Sequence, residues 1–320
     1  MKRGLRQKVL FFVVGSAIIS ALICGGISIY EATMVAEKNS KEKIISTSKQ
    51  YGKELDGTMA QIEQSVNILA NMTLGTIEDL EKFKTSKAYV NECTEKLRTV
   101  ALECANNTEG ALTYYVRYNP DFTEATSGIF ASKDGEDAKF KELTPTDFSM
   151  YEKDDLEHVG WYYIPVNNGK PTWMEPYLNS NINVYMISYV VPIFIDGESV
   201  GIVGMDIDFT QFKKMATAAK SYEGGYGFLV NSKDEVMTHP ELKQGSKLEE
   251  YSKDLAEFIS NEKKDSVITY SYEGGERLAG YTILRNGMRL VSSEPGTEVH
   301  EQALRLIILI LIAILIAAIY

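Results

Sequence analysis

Two charge-free apolar runs bracket the chain, and between them the hydrophobic pattern changes period. Val9 to Ile29 (VLFFVVGSAIISALICGGISI) carries no charge, and as a helix it rises about 31 Å, enough for the hydrocarbon core of a bilayer. Leu306 to Tyr320 (LIILILIAILIAAIY) repeats that character but rises only about 22 Å, so the chain is expected to stop inside a second crossing. After the first run, Tyr51, Leu55, Met59, Ile62, Val66, Leu69 and Met72 follow at spacings of three and four, one stripe of a long helix that Gly75 interrupts. Leu55, Ile62 and Leu69 also recur every seven residues. The stripe therefore reads either as a coiled-coil seam or as the face that packs on the following domain. A second helix is expected over Ser86 to Cys104, ending at Asn106-Asn107.

From Ala111 the pattern becomes strand-like. Ala111 to Tyr118 (ALTYYVRY) and Ala125 to Ala131 read as strands around an Asn119-Pro120-Asp121 turn, and the charged stretch Ser132 to Asp155 as a loop or short helix. Gly160 to Phe209 holds both tryptophans. It closes in ISYVVPIFIDGESVGIVGMDI, two apolar strands joined at Asp196-Gly197, a favoured pair for a tight hairpin. Phe209 to Ser221 reads as a short helix with Thr210 or Asp208 as its cap. A second β-rich unit starts at Gly224, with a strand through Gly-Tyr-Gly-Phe-Leu-Val-Asn and a partner at Val236 to Pro240. A helix over Leu248 to Glu262 follows, then strands at Ser266 to Tyr272, Glu276 to Leu284 and Met288 to Ser293, the last two joined through Asn286-Gly287. The expected fold class is α+β, with two antiparallel sheets on a long N-terminal helix and apolar helices at both ends.

Charge sets orientation and excludes partners. Lys2, Arg3, Arg6 and Lys8 precede the first run and place the N-terminus in the cytoplasm by the positive-inside rule. A cleaved signal peptide is the other reading, but the run is longer than a usual h-region and no clear cleavage site follows before Tyr30. Residues 30–303 are then extracytoplasmic in a two-pass protein of the inner or plasma membrane. Of the 33 basic residues, these four and Arg305 fall outside that segment, leaving 28 against 44 acidic ones, a net charge of −16. That argues against nucleic acid or anionic lipid as a partner. Cys24 lies in the apolar run, and Cys93 and Cys104 are about 16 Å apart on one helix, too far for a disulfide. His158, His239 and His300 have no second ligand at metal spacing. Asp154-Asp155 and Asp134/Glu136/Asp137 lack the alternating pattern of a calcium loop. No nucleophile or phosphate-loop motif is present, so neither cofactor, metal nor catalysis is expected.

Taken in order, the two apolar runs, the long helix, Trp161-Tyr162-Tyr163, Trp173, Pro176-Tyr177, the Ser-Tyr-Val-Val-Pro-Ile strand, Gly-Ile-Val-Gly-Met-Asp-Ile-Asp, Gly-Gly-Tyr-Gly-Phe-Leu-Val and Thr-His-Pro resemble the double Cache (dCache) sensor domain. This is the extracytoplasmic module of bacterial chemoreceptors, sensor kinases and diguanylate cyclases, and the likeness covers about residues 30–303. It implies two PAS-like sheets, one membrane-distal and one membrane-proximal, with the ligand in the distal one. The boundaries it implies are a cytoplasmic 1–8, a first transmembrane helix 9–29, stalk and long helices 30–105, a distal unit 106–221, a proximal unit 222–303 and a second transmembrane helix 304–320. It also implies a homodimer, and a structural role for His239 before Pro240.

In the amino-acid-binding branch of that family the pocket uses a Trp-Tyr pair, matched by Trp161-Tyr162, and an Asp after the second hairpin strand, matched by Asp206. The family's Tyr-x-Asp is Tyr177-Leu178-Asn179 here, an amide in place of a carboxylate, and its arginine position holds Val159. The expected ligand site is Trp161, Tyr162, Trp173, Tyr177, Asn179, Ser188 and Asp206. With Asp206 to hold a cation and no arginine to hold a carboxylate, the expected ligand is a small amine, with amino acids second. The reading from another class is a structural or adhesive surface protein whose stripe is an oligomerisation stalk.

Overall fold

One helix, α1, runs from Leu5 to Thr76. The structure, a computed structural model, describes residues 4–133, 138–179, 184–261 and 265–319. The chain divides into two compact units, one of residues 52–216 and 284–288, the other of residues 1–51, 217–283 and 289–320.

In the unit of residues 52–216, Leu55, Met59, Ile62, Val66 and Leu69 of α1 are all fully buried. The seven-residue repeat is thus a packing face within one chain, already covered by its own domain. Met72, at the end of the stripe, is exposed. Next come α2 (Leu80–Thr85), absent from the sequence-based expectation, and α3 (Lys87–Asn106), capped by Asp79 and Ser86 through bonds to the amides of Lys82 and Tyr89. The sheet follows: β1 (Ala111–Tyr118), β2 (Gly128–Ser132), β3 (Lys141–Glu142), β4 (Thr172–Trp173), β5 (Tyr177–Asn179), β6 (Val184–Ile195) and β7 (Glu198–Asp208). Its order is β3-β2-β1-β7-β6-β4, with β5 also pairing β6, and every pairing is antiparallel. The long hairpin turns at Asp196-Gly197, both with positive φ, as the Asp-Gly pair predicts. Every residue of β1 is buried, so this central strand is covered on both faces.

Between β3 and β4 lies α4 (Leu156–Asn168), a helix that the local sequence pattern does not announce. Trp161, Tyr162, Tyr163, Ile164, Pro165 and Val166 all disfavour helix, and tertiary packing overrides them. The local signals were at its ends. Asp155 accepts from the amide of His158 as N-cap, and Gly169 at φ 64 takes the left-handed terminal position.

α5 (Phe209–Thr217) closes the long segment of the first unit, and the other unit contains β8 (Tyr226–Val230), β9 (Val236–Thr238), β10 (Ile268–Tyr272), β11 (Gly275–Ile283) and β12 (Arg289–Pro295), ordered β10-β11-β12-β8-β9. The helix expected over Leu248 to Glu262 is broken into α6 (Leu248–Tyr251) and α7 (Lys253–Ser260), because Ser252 turns out of the helix and caps Leu255. The core here is Phe228, Val230, Leu248, Leu255, Ile259 and Val291 with the rings of Tyr251, Tyr270 and Tyr281. His239 is buried among Tyr226, Phe228 and Tyr251, and its Nδ1 accepts from the amides of Glu241 and Leu242 at 3.1 Å each. Buried Glu294 accepts from the amides of Ser221 (2.5 Å) and Tyr222 (3.2 Å) and from the hydroxyl of Ser292 (2.9 Å). The final helix, α8 (Gly296–Ile319), starts ten residues before the apolar run that announces it. Both α1 and α8 contain stretches long and apolar enough to cross a membrane, and Phe11, Phe12, Leu309 and Leu315 lie exposed on them.

Candidate functional site

One face of the larger sheet carries an unusual set of side chains. Strand periodicity puts Thr113, Tyr115 and Arg117 of β1 on that face. Register places Asp206 of β7 opposite Thr113, Gly204 opposite Tyr115, and Ser188 of β6 opposite Asp206. The other face takes the even residues: the Tyr118 ring meets Phe83 edge-on at 5.0 Å, and its hydroxyl accepts from Thr94. Gly204 permits the arrangement, because a Cβ there would lie 2.4 Å from the Tyr115 ring.

Over this face lie α4 and the short turn at Phe148–Met150, and between them and the sheet is a cavity of about 40 Å³. Its walls include Tyr115, Arg117, Phe130, Thr146, Glu157, His158, Trp161, Tyr177, Asn179 and Asp206. Asp206 is buried, and its carboxylate accepts from the hydroxyls of Thr113 and, at 3.2 Å, Tyr115. Among the described residues it has no cationic partner. Burial raises its pKa above the usual aspartate value, while the surrounding hydroxyls of Ser188, Thr113 and Tyr115 pull the other way. The Tyr177 hydroxyl accepts from Ser188 at 3.0 Å, and its pKa is pushed well up by burial and then by the negative charge of Asp206.

Arg117 is the second charge in the cavity, and it too is buried. Its Nε donates to the carbonyl of Ser127 (3.2 Å) and its Nη2 to those of Ala125 (2.9 Å) and Thr146 (2.7 Å). The guanidinium lies 4.4 Å from the Phe148 ring centre and 5.8 Å from that of Trp161. No carboxylate pairs with it among the described residues, and desolvation lowers its pKa to about 10. A buried cation without an anion and a buried anion without a cation therefore line one cavity.

Of the residues expected at the site, Trp161, Tyr177, Asn179 and Asp206 line the cavity, and Ser188 sits directly beneath, bonded to Tyr177. Tyr162 does not: it points into the core with Phe148, Val159 and Ile202. Trp173 is also elsewhere, donating from its indole to Glu63 of α1 at 2.8 Å and packing on Tyr189. Val159 is fully buried. The cation that this position does not supply comes instead from Arg117, a residue that the strand pattern by itself does not distinguish. An arginine inside an otherwise apolar strand, in phase with Thr113 and Tyr115, was the signal available. Asp208, one of the two caps expected for the following helix, accepts from the amide of Thr210 at 2.7 Å. Asp134, Glu136 and Asp137 lie outside the described residues, and among the described residues no cluster of three or more His, Cys, Asp or Glu side chains is placed to hold a metal. Cys24, Cys93 and Cys104 are free.

An antiparallel sheet covered by helices on both faces and a second, smaller antiparallel sheet in the same chain make up the double Cache fold. Residues 81–214 match the family model of the first PDC sensor domain of methyl-accepting chemotaxis protein-like proteins. The chain is 26% identical over 198 residues to the methyl-accepting chemotaxis protein TlpA of Bacillus subtilis, covering 60% of this chain and 28% of that protein. It is 26% identical over 84 residues to PscA of Pseudomonas syringae pv. tomato, covering 26% of this chain and 13% of that one. The chain thus spans less than a third of either relative. Among solved structures, the extracellular domain of the putative histidine kinase mmHK1S-Z2 superposes with a TM-score of 0.60 at 21% identity, over 81% of this chain and 98% of that one. The ligand-binding domain of the Campylobacter jejuni chemoreceptor Tlp3 in complex with L-norvaline superposes with a TM-score of 0.55 at 17% identity, over 86% and 95%. These likenesses show the fold.

Proposed function

We propose that this chain is the sensory part of a two-pass receptor of the bacterial inner or plasma membrane, with residues 30–303 extracytoplasmic, a homodimer and no catalytic activity of its own. Its ligand is a small molecule carrying both an ammonium and a carboxylate, bound in the cavity beneath α4. The observation that carries this is the pair of unneutralised buried charges, Asp206 and Arg117, on one cavity wall. Burying either alone is costly, and a zwitterion offsets both at once. Trp161, Tyr115 and Tyr177 add aromatic faces to which a cation is attracted. Arg117 changes the preference from a plain amine to an amino-acid-like ligand. The Tlp3 domain, solved with L-norvaline, L-valine and isoleucine, supports the same class.

Signalling follows from packing: a ligand that draws α4 toward the sheet changes what the sheet presents to α1, whose buried stripe moves as a unit. The relatives' names point to chemotaxis as the process served. The test is thermal-shift and calorimetric screening of the full chain in detergent against amines, amino acids and dicarboxylates. A zwitterionic hit abolished by Asp206→Ala is expected. A folded protein indifferent to every compound, or one that binds only a dicarboxylate, refutes the assignment.

A further inference from the structure

Both charges line the cavity, and their separation along the strand register restricts the ligand further. Asp206 stands at the register of Thr113, and Arg117 is four residues on along β1, roughly 13 Å away at strand rise. The guanidinium does not lean back toward Asp206. β2 runs antiparallel with Ser132 opposite Thr113 and Gly128 opposite Arg117, so Ser127 and Ala125 lie beyond Arg117, on the side away from Asp206. The three carbonyls that hold the guanidinium include those two. Allowing about 3 Å for a hydrogen bond at each end leaves roughly 7 Å between the ligand's own charged groups. In an α-amino acid the nitrogen and carboxyl carbon are only about 2.5 Å apart. Between the charged ends the wall is aromatic, with Tyr115 and its cross-strand neighbour Phe130 on the sheet and Trp161 above, edge-on to Tyr115 at 5.5 Å. Such a wall suits methylene groups. A carboxylate beside the ammonium, as every α-amino acid has, would sit by Asp206 with no cation near it.

We infer that the ligand is an ω-amino carboxylate, with its ammonium at Asp206, its carboxylate at Arg117 and a chain of about four to six carbons across Tyr115. This rests on the zwitterion reading above and narrows it. Titration calorimetry on the full chain in detergent, with 4-aminobutanoate, 5-aminopentanoate, 6-aminohexanoate, valine, pentylamine and pentanoate, tests it. At least one of the three ω-amino acids binds about tenfold or more tighter than valine, pentylamine and pentanoate. Arg117→Gln brings its affinity down to that of pentylamine. If that variant does not fold, the wild-type comparison of 5-aminopentanoate with pentylamine reads the same contact. Valine binding as tightly as every ω-amino acid overturns the span inference and leaves the zwitterion reading standing. Pentylamine binding as tightly as 5-aminopentanoate overturns both, because Arg117 then takes no part. Binding of none of the six overturns the span inference.

Discussion

Thr113 of β1 and Asp206 of β7 are direct partners in the antiparallel register, and the threonine hydroxyl donates to Oδ2 of the aspartate. With Tyr115 on Oδ1, this fixes a buried carboxylate that, among the described residues, meets hydroxyl donors and no cation. Hydroxyl donors make the charge tolerable without neutralising it, so the site is left to favour a cation from outside.

Asp206→Asn tests that account through stability. Folding raises the Asp206 pKa, so between the unfolded value near 3.8 and the raised folded value the native state binds more protons than the unfolded one. In that window stability falls as pH rises, and at neutral pH the ionised aspartate is a cost. The asparagine variant is therefore expected to melt higher than the ligand-free parent at pH 7, with the difference vanishing toward pH 4. Ligand binding is lost in the same variant.

Gly204→Ala places a methyl group against the Tyr115 ring and forces the ring off the sheet. A loss of about 1–3 kcal/mol in denaturant unfolding is expected. Ligand affinity falls with it, since the displaced ring takes its hydroxyl from Asp206.

The two tryptophans separate binding from structure. Trp173→Phe removes the indole bond to Glu63, a carboxylate that Arg285 also holds from 2.5 and 3.0 Å. It is expected to cost about 1 kcal/mol of stability with ligand affinity unchanged. Trp161→Phe acts on the cavity wall and is expected to weaken binding roughly three- to tenfold, read by calorimetry.

His239 gives the smaller sheet an acid sensitivity of the opposite sign. Burial lowers its pKa from 6.5 to about 4, so between those values the unfolded state binds more protons and stability falls as pH drops. The neutral ring is the form whose Nδ1 accepts from Glu241 and Leu242. His239→Asn, which keeps an acceptor near that position, is expected to flatten the stability profile between pH 6.5 and 4. An unchanged slope in thermal melts across that range counts against it.

Much of this protein is determined by sequence alone. Apolar runs, the three-and-four stripe of α1, period-two strands and Asp-Gly and Asn-Gly turns act over a few residues, so two antiparallel sheets on a long helix were legible without coordinates. The family resemblance pointed to Asp206 and Trp161, and both line the cavity. Tertiary structure decided the rest. It made a helix of Trp161 to Val166, whose own propensities oppose one, because the sheet needed a cover. It sent Trp173 to Glu63 and Tyr162 into the core, since neighbours in sequence face different directions once α4 and β4 are placed. It also brought Arg117 to the cavity that holds Asp206, across a strand pairing that joins residues far apart in the chain. No spacing rule reports which distant strand lies alongside, and that pairing is what puts a cation and an anion on the wall of one cavity.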